Sequence, residues 1–290
     1  KVMRYILTNK EAIVDRIVSE TGKSRMDALL SEIFTVLDTI DYYEKNAEAM
    51  LADEVVKTPI LLMGKKSRIY YEPIGPVLMI TPWNYPFNLT LIPFICAFVA
   101  GNAVVHKPSE YTPLRGLLEE ITEKSGFVKN GIQVVYGGKD TGRMLVDGRP
   151  AKVLFTGSVR AGRQVMAQAA QYLIPVELEL GGKDPMVVFD DVNIDRTVNG
   201  AIWGGMTNSG QTCTAVERVL VHERIYDQFV ATLKDKVKKL STPSSKGNSK
   251  DCGDLDVGCM TTEFQLDIVN DQIQDAISKG AKIVCGGKRV

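Results

Sequence analysis

The chain has 290 residues, 44% of them apolar, and its 35 lysines and arginines balance 35 aspartates and glutamates. A chain of this size can bury a substantial core, so we expect one large or two medium globular domains. Because the net charge is zero, we expect neither nucleic acid nor anionic lipid as a partner. The longest apolar run, 91–100, contains Pro93 and falls short of the ~20 residues of a membrane span.

Cysteine usage and the first residues bear on metals and on the compartment. Five cysteines without a CxxC pair predict neither a disulfide framework nor a zinc site. They are Cys96, Cys213, Cys252, Cys259 and Cys285, with His106 and His222 as the histidines. Residues 1–10 lack the pattern of a secretory signal, so we expect a cytoplasmic protein. The chain opens without Met inside a helical pattern, which indicates a fragment.

Two amphipathic helices are predicted first. Apolar residues recur at helical spacing over 1–20, and Thr21-Gly22 ends that segment. Ser24 caps a second helix that extends to about Ala52. We expect both helices to pack on a core.

A hairpin arm is predicted next. Its strands, Thr58–Met63 and Ser67–Glu72, flank the polar turn 64–66. Such an arm either completes the sheet of a partner subunit or packs on its own domain.

From Gly75 onward, short β-branched runs alternate with helical patterns. The predicted strands are 77–80, 103–106, 132–135, 152–155 and 176–178, and the predicted helices are 88–100, 113–125, 139–145 and 160–171. This alternation predicts a parallel sheet with crossover helices and a ligand site beyond the carboxyl ends of the strands.

A second α/β portion follows. We predict strands at 186–189, 218–222 and 282–285, helices at 194–206, 226–240 and 262–278, and a polar surface loop at 241–254. The chain stops just after the glycine pair 286–287, which indicates that this portion is incomplete.

Two loops of the first sheet carry candidate nucleotide contacts. The segment 155–162, FTGSVRAG, leaves a strand, turns on Gly157 and opens a helix, as a phosphate site does, although its spacing is neither a Walker loop nor GxGxxG. The segment HKPSE places Lys107 and Glu110 where they could contact both hydroxyls of a ribose. The alternative for this pair is an ordinary loop with solvated charges.

Three further stretches carry candidate catalytic groups. Asn84, held between two prolines in TPWNYPF, could stabilise an oxyanion or satisfy turn amides. Glu177 and Glu179 share one face of a strand, where a carboxylate could act as a general base or pair with Lys183. Cys213, within the small and polar NSGQTCT, suits a reactive thiol, although a buried structural thiol is the commoner fate of a free cysteine.

Taken in order, the motifs TPWNYP, HKPSE, FTGSVRAG, ELGGKDP and NSGQTC resemble those of the NAD(P)-dependent aldehyde dehydrogenase superfamily over nearly the whole chain. The cysteine follows the glutamate of ELGGK by 34 residues (213 minus 179). The resemblance implies an α/β fold with a Rossmann-like parallel-sheet dinucleotide-binding domain at 1–50 and 77–179. It also implies a hairpin oligomerisation arm at 51–76 and an incomplete catalytic domain at 180–290.

The same resemblance implies roles for individual residues. Cys213 corresponds to the nucleophile that forms a thiohemiacetal and then a thioester. Asn84 and the Cys213 amide correspond to the oxyanion donors, and Glu179 to the base that activates water.

Cofactor contacts follow in the same way. Lys107 and Glu110 correspond to adenine-ribose contacts and Ser158 to a diphosphate contact. Cofactor-binding positions are further carried over to Thr81, Pro82, Trp83, Gly157 and Gly181. Glu110 favours NAD, and NADP remains possible because Lys107 could pair with its phosphate.

The sequence departs from the family pattern in places. Val159 and Arg160 stand where Thr or Glu is common. The later EIFGP-type segment and the C-terminal strand are absent, which by analogy indicates a middle piece of a protein of roughly 450 to 500 residues. The wording PWNYPFNLT resembles the branch that acts on fatty and aromatic aldehydes, and a homodimer or homotetramer is expected.

Two rival interpretations remain at this point. One is a non-catalytic dinucleotide-binding or structural fragment of such an enzyme, and the other is a thiol esterase or acyl transferase without the redox step.

Overall fold

Helices and strands alternate through most of the computed structural model, which describes residues 1–127, 131–242 and 255–289. The helices are α1 (Val2–Thr8), α2 (Lys10–Thr21), α3 (Arg25–Asp27), α4 (Thr35–Met50), α5 (Asn88–Val99), α6 (Leu117–Ser125), α7 (Lys139–Asp147), α8 (Val159–Ala170), α9 (Ile194–Met206), α10 (Tyr226–Val237) and α11 (Glu263–Ser278). The strands are β1 (Glu54–Val56), β2 (Ser67–Ile69), β3 (Val77–Ile80), β4 (Val104–Lys107), β5 (Ile132–Val134), β6 (Lys152–Gly157), β7 (Val176–Leu180), β8 (Asp184–Val188) and β9 (Val216–Val221).

The chain divides into two compact units. The first unit comprises Lys1–Thr8, Ile33–Pro82 and Pro86–Glu179. The second comprises Asn9–Glu32, Trp83–Tyr85 and Leu180–Val290. The predicted domain boundaries stay a prediction.

A five-stranded sheet in the order β5-β4-β3-β6-β7 organises the first unit. Strand β3 pairs in parallel with β4 and with β6, and β4 pairs in parallel with β5. All four residues of β3 are buried, as expected for the centre of a sheet that is covered on both faces. The predicted α/β fold with a parallel sheet is confirmed.

The strand order creates a switch point at the centre of this sheet. The chain passes from β3 to β4 and β5, and then returns to place β6 on the other side of β3. In the register, Ile80 lies opposite both Lys107 and Phe155. The loops that follow β3, β4 and β6 therefore begin at the same edge, where open α/β sheets bind ligands.

The second unit is built on the parallel pair β8 and β9, in which Asp184 pairs with Val216 and Val188 with Val221. Helices α9 and α10 pack against this pair, around the buried residues Val188, Val198, Ala201 and Phe229. The apolar stripes of α9 and α10 supply the helical side of the core.

Several predicted elements differ in the structure. The first predicted strand of the arm, Thr58–Met63, is wrong: β1 lies earlier, at Glu54–Val56, and pairs antiparallel with β2. Residues Ile60–Leu62 form a 3₁₀ turn instead. Pro59 carries no N–H for a sheet ladder, and its carbonyl accepts the Leu62 N–H at 2.9 Å.

Other differences lie at the two ends of the chain. The first predicted helix is broken at Asn9 into α1 and α2, and the second contains a π-helical segment, Ala28–Phe34. The predicted strand 282–285 is absent, and Ile283 and Val284 are about half exposed. The loop predicted at 241–254 lies almost wholly outside the described residues.

Within 1–127, 131–242 and 255–289, none of the helices combines the length and apolar character that a bilayer crossing requires. The same ranges contain no group of three or more His, Cys, Asp or Glu side chains arranged to hold a metal ion.

Candidate functional site

In the first unit, Lys107 and Glu110 follow the central sheet edge after β4. The Lys107 ammonium is buried, with a side chain that is 5% exposed, and donates to the carbonyl oxygens of Pro108 at 2.6 Å and Gly137 at 2.7 Å. Its Nζ lies 3.7 Å from Glu110 Oε2, and the Glu110 side chain is 47% exposed. Burial lowers the pKa of Lys107. The structure thus brings this predicted pair together and leaves the carboxylate open to solvent.

Gly157 and Ser158 lie at the junction of β6 and α8. Ser158 is the N-cap of α8, and its hydroxyl accepts a hydrogen bond from the Ala161 N–H at 3.2 Å. A side chain at position 157 would place its Cβ 2.7 Å from the Phe155 ring, which explains the glycine. Because Ser158, Val159 and Arg160 are exposed, the positive end of the helix dipole is open to an anion.

Thr81 follows β3 and is 4% exposed. Its hydroxyl lies 2.9 Å from His106 Nε2 and 3.3 Å from the Thr90 hydroxyl, so its side chain is engaged inside the first unit. Its cofactor role stays a prediction, as does that of the half-exposed Pro82. In the sequence analysis, His106 was weighed only as a possible metal ligand. The structure shows it instead as a buried partner of Thr81.

His106 makes the first unit sensitive to acid. Burial lowers its pKa from 6.5 to about 3, so below pH 6.5 the unfolded chain binds a proton that the folded chain does not. Proton uptake by the unfolded chain therefore lowers the free energy of unfolding as the pH falls from about 6.5 towards 3, by up to ~1.4 kcal/mol per pH unit. At neutral pH this loss is absent. We expect urea unfolding between pH 7 and 5 to show a shallower pH dependence in His106→Gln than in wild type.

A control separates this effect from a general loss of stability. Phe229 is buried in the core of the second unit and does not titrate. Phe229→Leu should lower the free energy of unfolding at every pH and keep the wild-type pH dependence. Equal slopes for wild type and His106→Gln would contradict the prediction.

In the second unit, the segment Trp83–Tyr85 meets the residues that precede Cys213. The Asn84 side-chain amide donates to the Gln211 carbonyl oxygen at 2.9 Å. The Tyr85 hydroxyl lies 2.7 Å from the Thr212 hydroxyl. Two adjacent residues therefore contact the two positions just before the cysteine, although 127 positions separate the members of each pair.

The turn that leads to Cys213 has an unusual backbone. Asn208, Ser209 and Gly210 all have positive φ, at 54°, 59° and 74°. The first two of these lack the freedom of glycine, and such conformations persist only where the surroundings fix them. The sequence predicted the loop but not this strained conformation.

Side chains on several elements hold the strained turn. The Asn208 amide donates to the carbonyl oxygens of Asn84 at 3.0 Å and Gln211 at 3.2 Å. The Asp27 carboxylate accepts the Asn208 N–H at 3.2 Å, and the Ser209 hydroxyl donates to the Gly258 carbonyl at 2.9 Å. A segment supported in this way is pre-organised.

Cys213 itself is exposed, which contradicts the alternative of a buried structural thiol. The second glycine of ELGGK approaches its backbone: a Cβ at Gly182 would lie 3.3 Å from the Cys213 carbonyl oxygen. Among the described residues other than its chain neighbours, none has an atom within 4 Å of a Cβ built at Gly181. The Trp83 ring, also in this unit, packs edge-on against Phe264 with centroids 6.3 Å apart.

Glu179 lies in β7, in the first unit, and is exposed. Its neighbour on the same face, Glu177, accepts a hydrogen bond from Lys152 at 2.8 Å, and this contact lowers the pKa of Glu177. In the sequence analysis, a salt bridge between Lys183 and Glu177 or Glu179 was the alternative to a general base. In the structure, the carboxylate that pairs with Lys183 is that of Glu217 instead.

Two buried residues of the second unit that the sequence did not single out lie beside Asn84. Lys23 and Glu32 have fully buried side chains and form an ion pair with Nζ and Oε1 2.5 Å apart. Lys23 Nζ also donates to the Asn84 carbonyl at 2.8 Å and lies 4.2 Å from the Tyr85 ring centroid. A lysine between the helix-ending Gly22 and the capping Ser24 gives no sign of burial in the sequence.

Comparisons with known proteins agree with this architecture. A family model described as "Aldehyde dehydrogenase family" matches residues 1–290, and the chain belongs to this family. It is 40% identical over 281 residues to 4,4'-diapolycopene aldehyde oxidase of Methylomonas sp, covering 96% of this chain and 52% of that protein. The chain spans about half the length of the curated relatives it matches.

Solved structures of the same fold include one cofactor complex and one enzyme named for its cofactor. PnpE in complex with nicotinamide adenine dinucleotide matches with a TM-score of 0.91 at 31% identity, over 99% of this chain and 58% of that one. An NADP-dependent enzyme of E. coli matches with the same TM-score and identity, over 100% of this chain and 59% of that one.

Proposed function

We propose that the protein containing this chain oxidises an aldehyde to a carboxylic acid with NAD(P). The observation that carries the proposal is the exposed Cys213 at the end of a strained, pre-organised turn, with the Asn84 amide bound two residues before it. Family membership and the names of the relatives support the same chemistry.

The proposed mechanism runs through two covalent intermediates on Cys213, whose thiol first loses its proton to solvent through Glu179. The Cys213 thiolate adds to the aldehyde carbon, and the carbonyl oxygen becomes the oxyanion of a thiohemiacetal. The Asn84 amide and the Cys213 N–H donate to this oxyanion. Loss of a hydride from the same carbon leaves a thioester, and Glu179 then takes a proton from the water that hydrolyses it. The thiolate leaves and the carboxylic acid is released.

The residues of the first unit fit a dinucleotide. When bound, its nicotinamide accepts the hydride. Two Lys107 protons are already held by carbonyl oxygens, so the ammonium is fixed in position while Glu110 offers an exposed acceptor nearby. This donor and acceptor match the two hydroxyls of a ribose, and the open end of α8 matches a diphosphate. Glu110 disfavours a phosphate on that ribose, so NAD is the proposed cofactor and NADP the alternative.

The substrate is proposed to be an aliphatic or aromatic aldehyde. This rests on the PWNYPFNLT wording, and the Methylomonas relative is named for the apolar 4,4'-diapolycopene aldehyde. The arm contributes a second proposal, a homodimer or homotetramer, because Ile60, Leu61 and Met63 are 84%, 94% and 85% exposed. A cytoplasmic location is likewise proposed.

Glu179→Gln tests the proposed division of labour between acyl formation and hydrolysis. An amide cannot take the proton from water, so we expect a burst of about one NADH per active site, followed by steady turnover slowed ~10² to 10⁴-fold. Stopped-flow absorbance of NADH with a medium-chain or aromatic aldehyde measures both phases.

Glu177→Gln is the matched control, because it changes the same group on the same face of β7, where Glu177 pairs with Lys152. It should retain steady turnover. If Glu179→Gln turned over as fast as wild type, Glu179 would not be the base. Cleavage of a nitrophenyl ester without any NADH formation by wild type would instead favour the thiol esterase.

A further inference from the structure

We propose that Lys23 is a positioning residue that fixes Asn84 and, through it, the segment before Cys213. The inference rests on the proposed function, in which the Asn84 amide receives the oxyanion. It adds a buried cation with no place in the chemistry itself.

The Lys23 ammonium is committed on three sides. Its Nζ donates to Glu32 Oε1 at 2.5 Å and to the Asn84 carbonyl at 2.8 Å, and its third side faces the Tyr85 ring with the centroid at 4.2 Å. Neither Lys23 nor Glu32 has any exposed side-chain surface. A buried ammonium with these partners has one allowed position, because moving it would forfeit a strong, directional contact.

Through the Asn84 carbonyl oxygen, Lys23 fixes the Asn84 backbone. This oxygen accepts from Lys23 Nζ and from the Asn208 amide, at 2.8 Å and 3.0 Å. Both of its lone pairs are therefore used, and the peptide unit cannot rotate without breaking two partly buried hydrogen bonds. The Asn84 side chain, which binds Gln211, leaves from this fixed backbone.

Tyr85 provides a second connection from the same cation. Its ring lies against Lys23, and its hydroxyl meets Thr212 at 2.7 Å. Lys23 thus contacts both residues whose side chains bind the two positions before Cys213. Neither connection involves the thiol, so Lys23 acts through other residues.

Stability alone does not explain an ion pair at this place. Burying two charges costs desolvation free energy, and replacing such a pair with apolar side chains of similar size is often neutral or stabilising. An apolar pair could fill the space of Lys23 and Glu32 but could not donate to the Asn84 carbonyl. The directional donor is what the ion pair adds.

The test replaces both charges at once with the variant Lys23→Met/Glu32→Leu. Hydrogen exchange measured by mass spectrometry should rise about tenfold in peptides covering 83–85 and 208–214 and stay unchanged in β8 and β9. In the same variant, kcat for aldehyde oxidation should fall ~10 to 100-fold with little change in KM for NAD. Asn84→Ala is the positive comparison for kcat. If the double variant does not fold, Lys23→Met/Glu32→Gln removes both charges and keeps the Glu32 shape.

Phe229→Leu is the control for simple loss of stability, because Phe229 lies in the core of the same unit. It should raise exchange throughout that unit. A uniform rise in the double variant, or unchanged exchange at 208–214, would overturn the positioning role, and so would an unchanged kcat. If wild type reduces no NAD, the proposed function fails for this chain, while the exchange pattern still decides the role of Lys23.

Discussion

Replacing Cys213 with alanine is expected to reduce aldehyde-dependent NADH formation by ~10⁴-fold or more, to background. Without the sulfur no thiohemiacetal forms. The aldehyde carbon then carries no oxyanion whose electrons could drive the departure of a hydride. Cleavage of a nitrophenyl ester should disappear in parallel, because the same sulfur would carry the acyl group. Absorbance at the NADH and nitrophenol bands, with wild type and variant at equal concentration, measures both losses.

The control for this prediction is a second cysteine. Cys285 is half-buried in the same unit, so Cys285→Ala should keep wild-type activity in both assays. Because Cys213 is exposed, its replacement should leave the urea unfolding curve unchanged. Full dehydrogenase activity in Cys213→Ala would mean that the proposed mechanism is wrong.

The parallel sheet could be predicted because its signal is local. Buried strands such as β3 read as short β-branched runs, and the helices between them carry their own period. The predictions of the first arm strand and of the C-terminal strand were wrong, because a strand depends on pairing with another segment. A run such as 58–63 has strand composition, but a strand exists only where another backbone accepts its hydrogen bonds. Pro59 and the turn that follows it removed that possibility.

In the candidate site, too, local features could be predicted and contacts between distant segments could not. The loops that carry Lys107, Ser158 and Cys213 were visible because each motif is contiguous. The contact between Asn84 and Gln211 was not, since 127 positions separate the two residues and only the fold brings them together. The strained turn at Asn208 was equally hidden, because its positive φ is imposed by partners from distant segments.

Lys23 and Glu32 show why residue type misleads. Lysine and glutamate are almost never fully buried unless paired. The stretch 24–31 between the two residues includes the start of a π-helical segment, which obscures a helical repeat. In the sequence, Lys23 looks like part of a solvated turn between two helices, and Glu32 looks like part of a solvated helix face. Their partnership appears only when the Asn84 carbonyl and the Tyr85 ring complete the cavity around the cation.

Removing only one member of this pair should therefore lower stability far more than removing one member of an exposed pair does. In Lys23→Met, the Glu32 carboxylate stays buried without its cation, and the Asn84 carbonyl loses one of its donors. We expect the free energy of unfolding to fall by ~3 to 5 kcal/mol. Urea denaturation followed by circular dichroism at neutral pH measures the change.

Lys279→Met is the matched control, because Lys279 forms an exposed pair with Asp275 at 2.8 Å in the same unit, with side chains 72% and 59% exposed. Exposed pairs of this kind contribute little, so the unfolding curve should shift hardly at all. The double variant Lys23→Met/Glu32→Leu should recover most of the stability that Lys23→Met loses, because it no longer buries an unpaired charge. Recovered stability with a still-lowered kcat would separate what the ion pair does for folding from what it does for Asn84. A Lys23→Met protein as stable as wild type would show that the buried pair does not contribute the stability assigned to it.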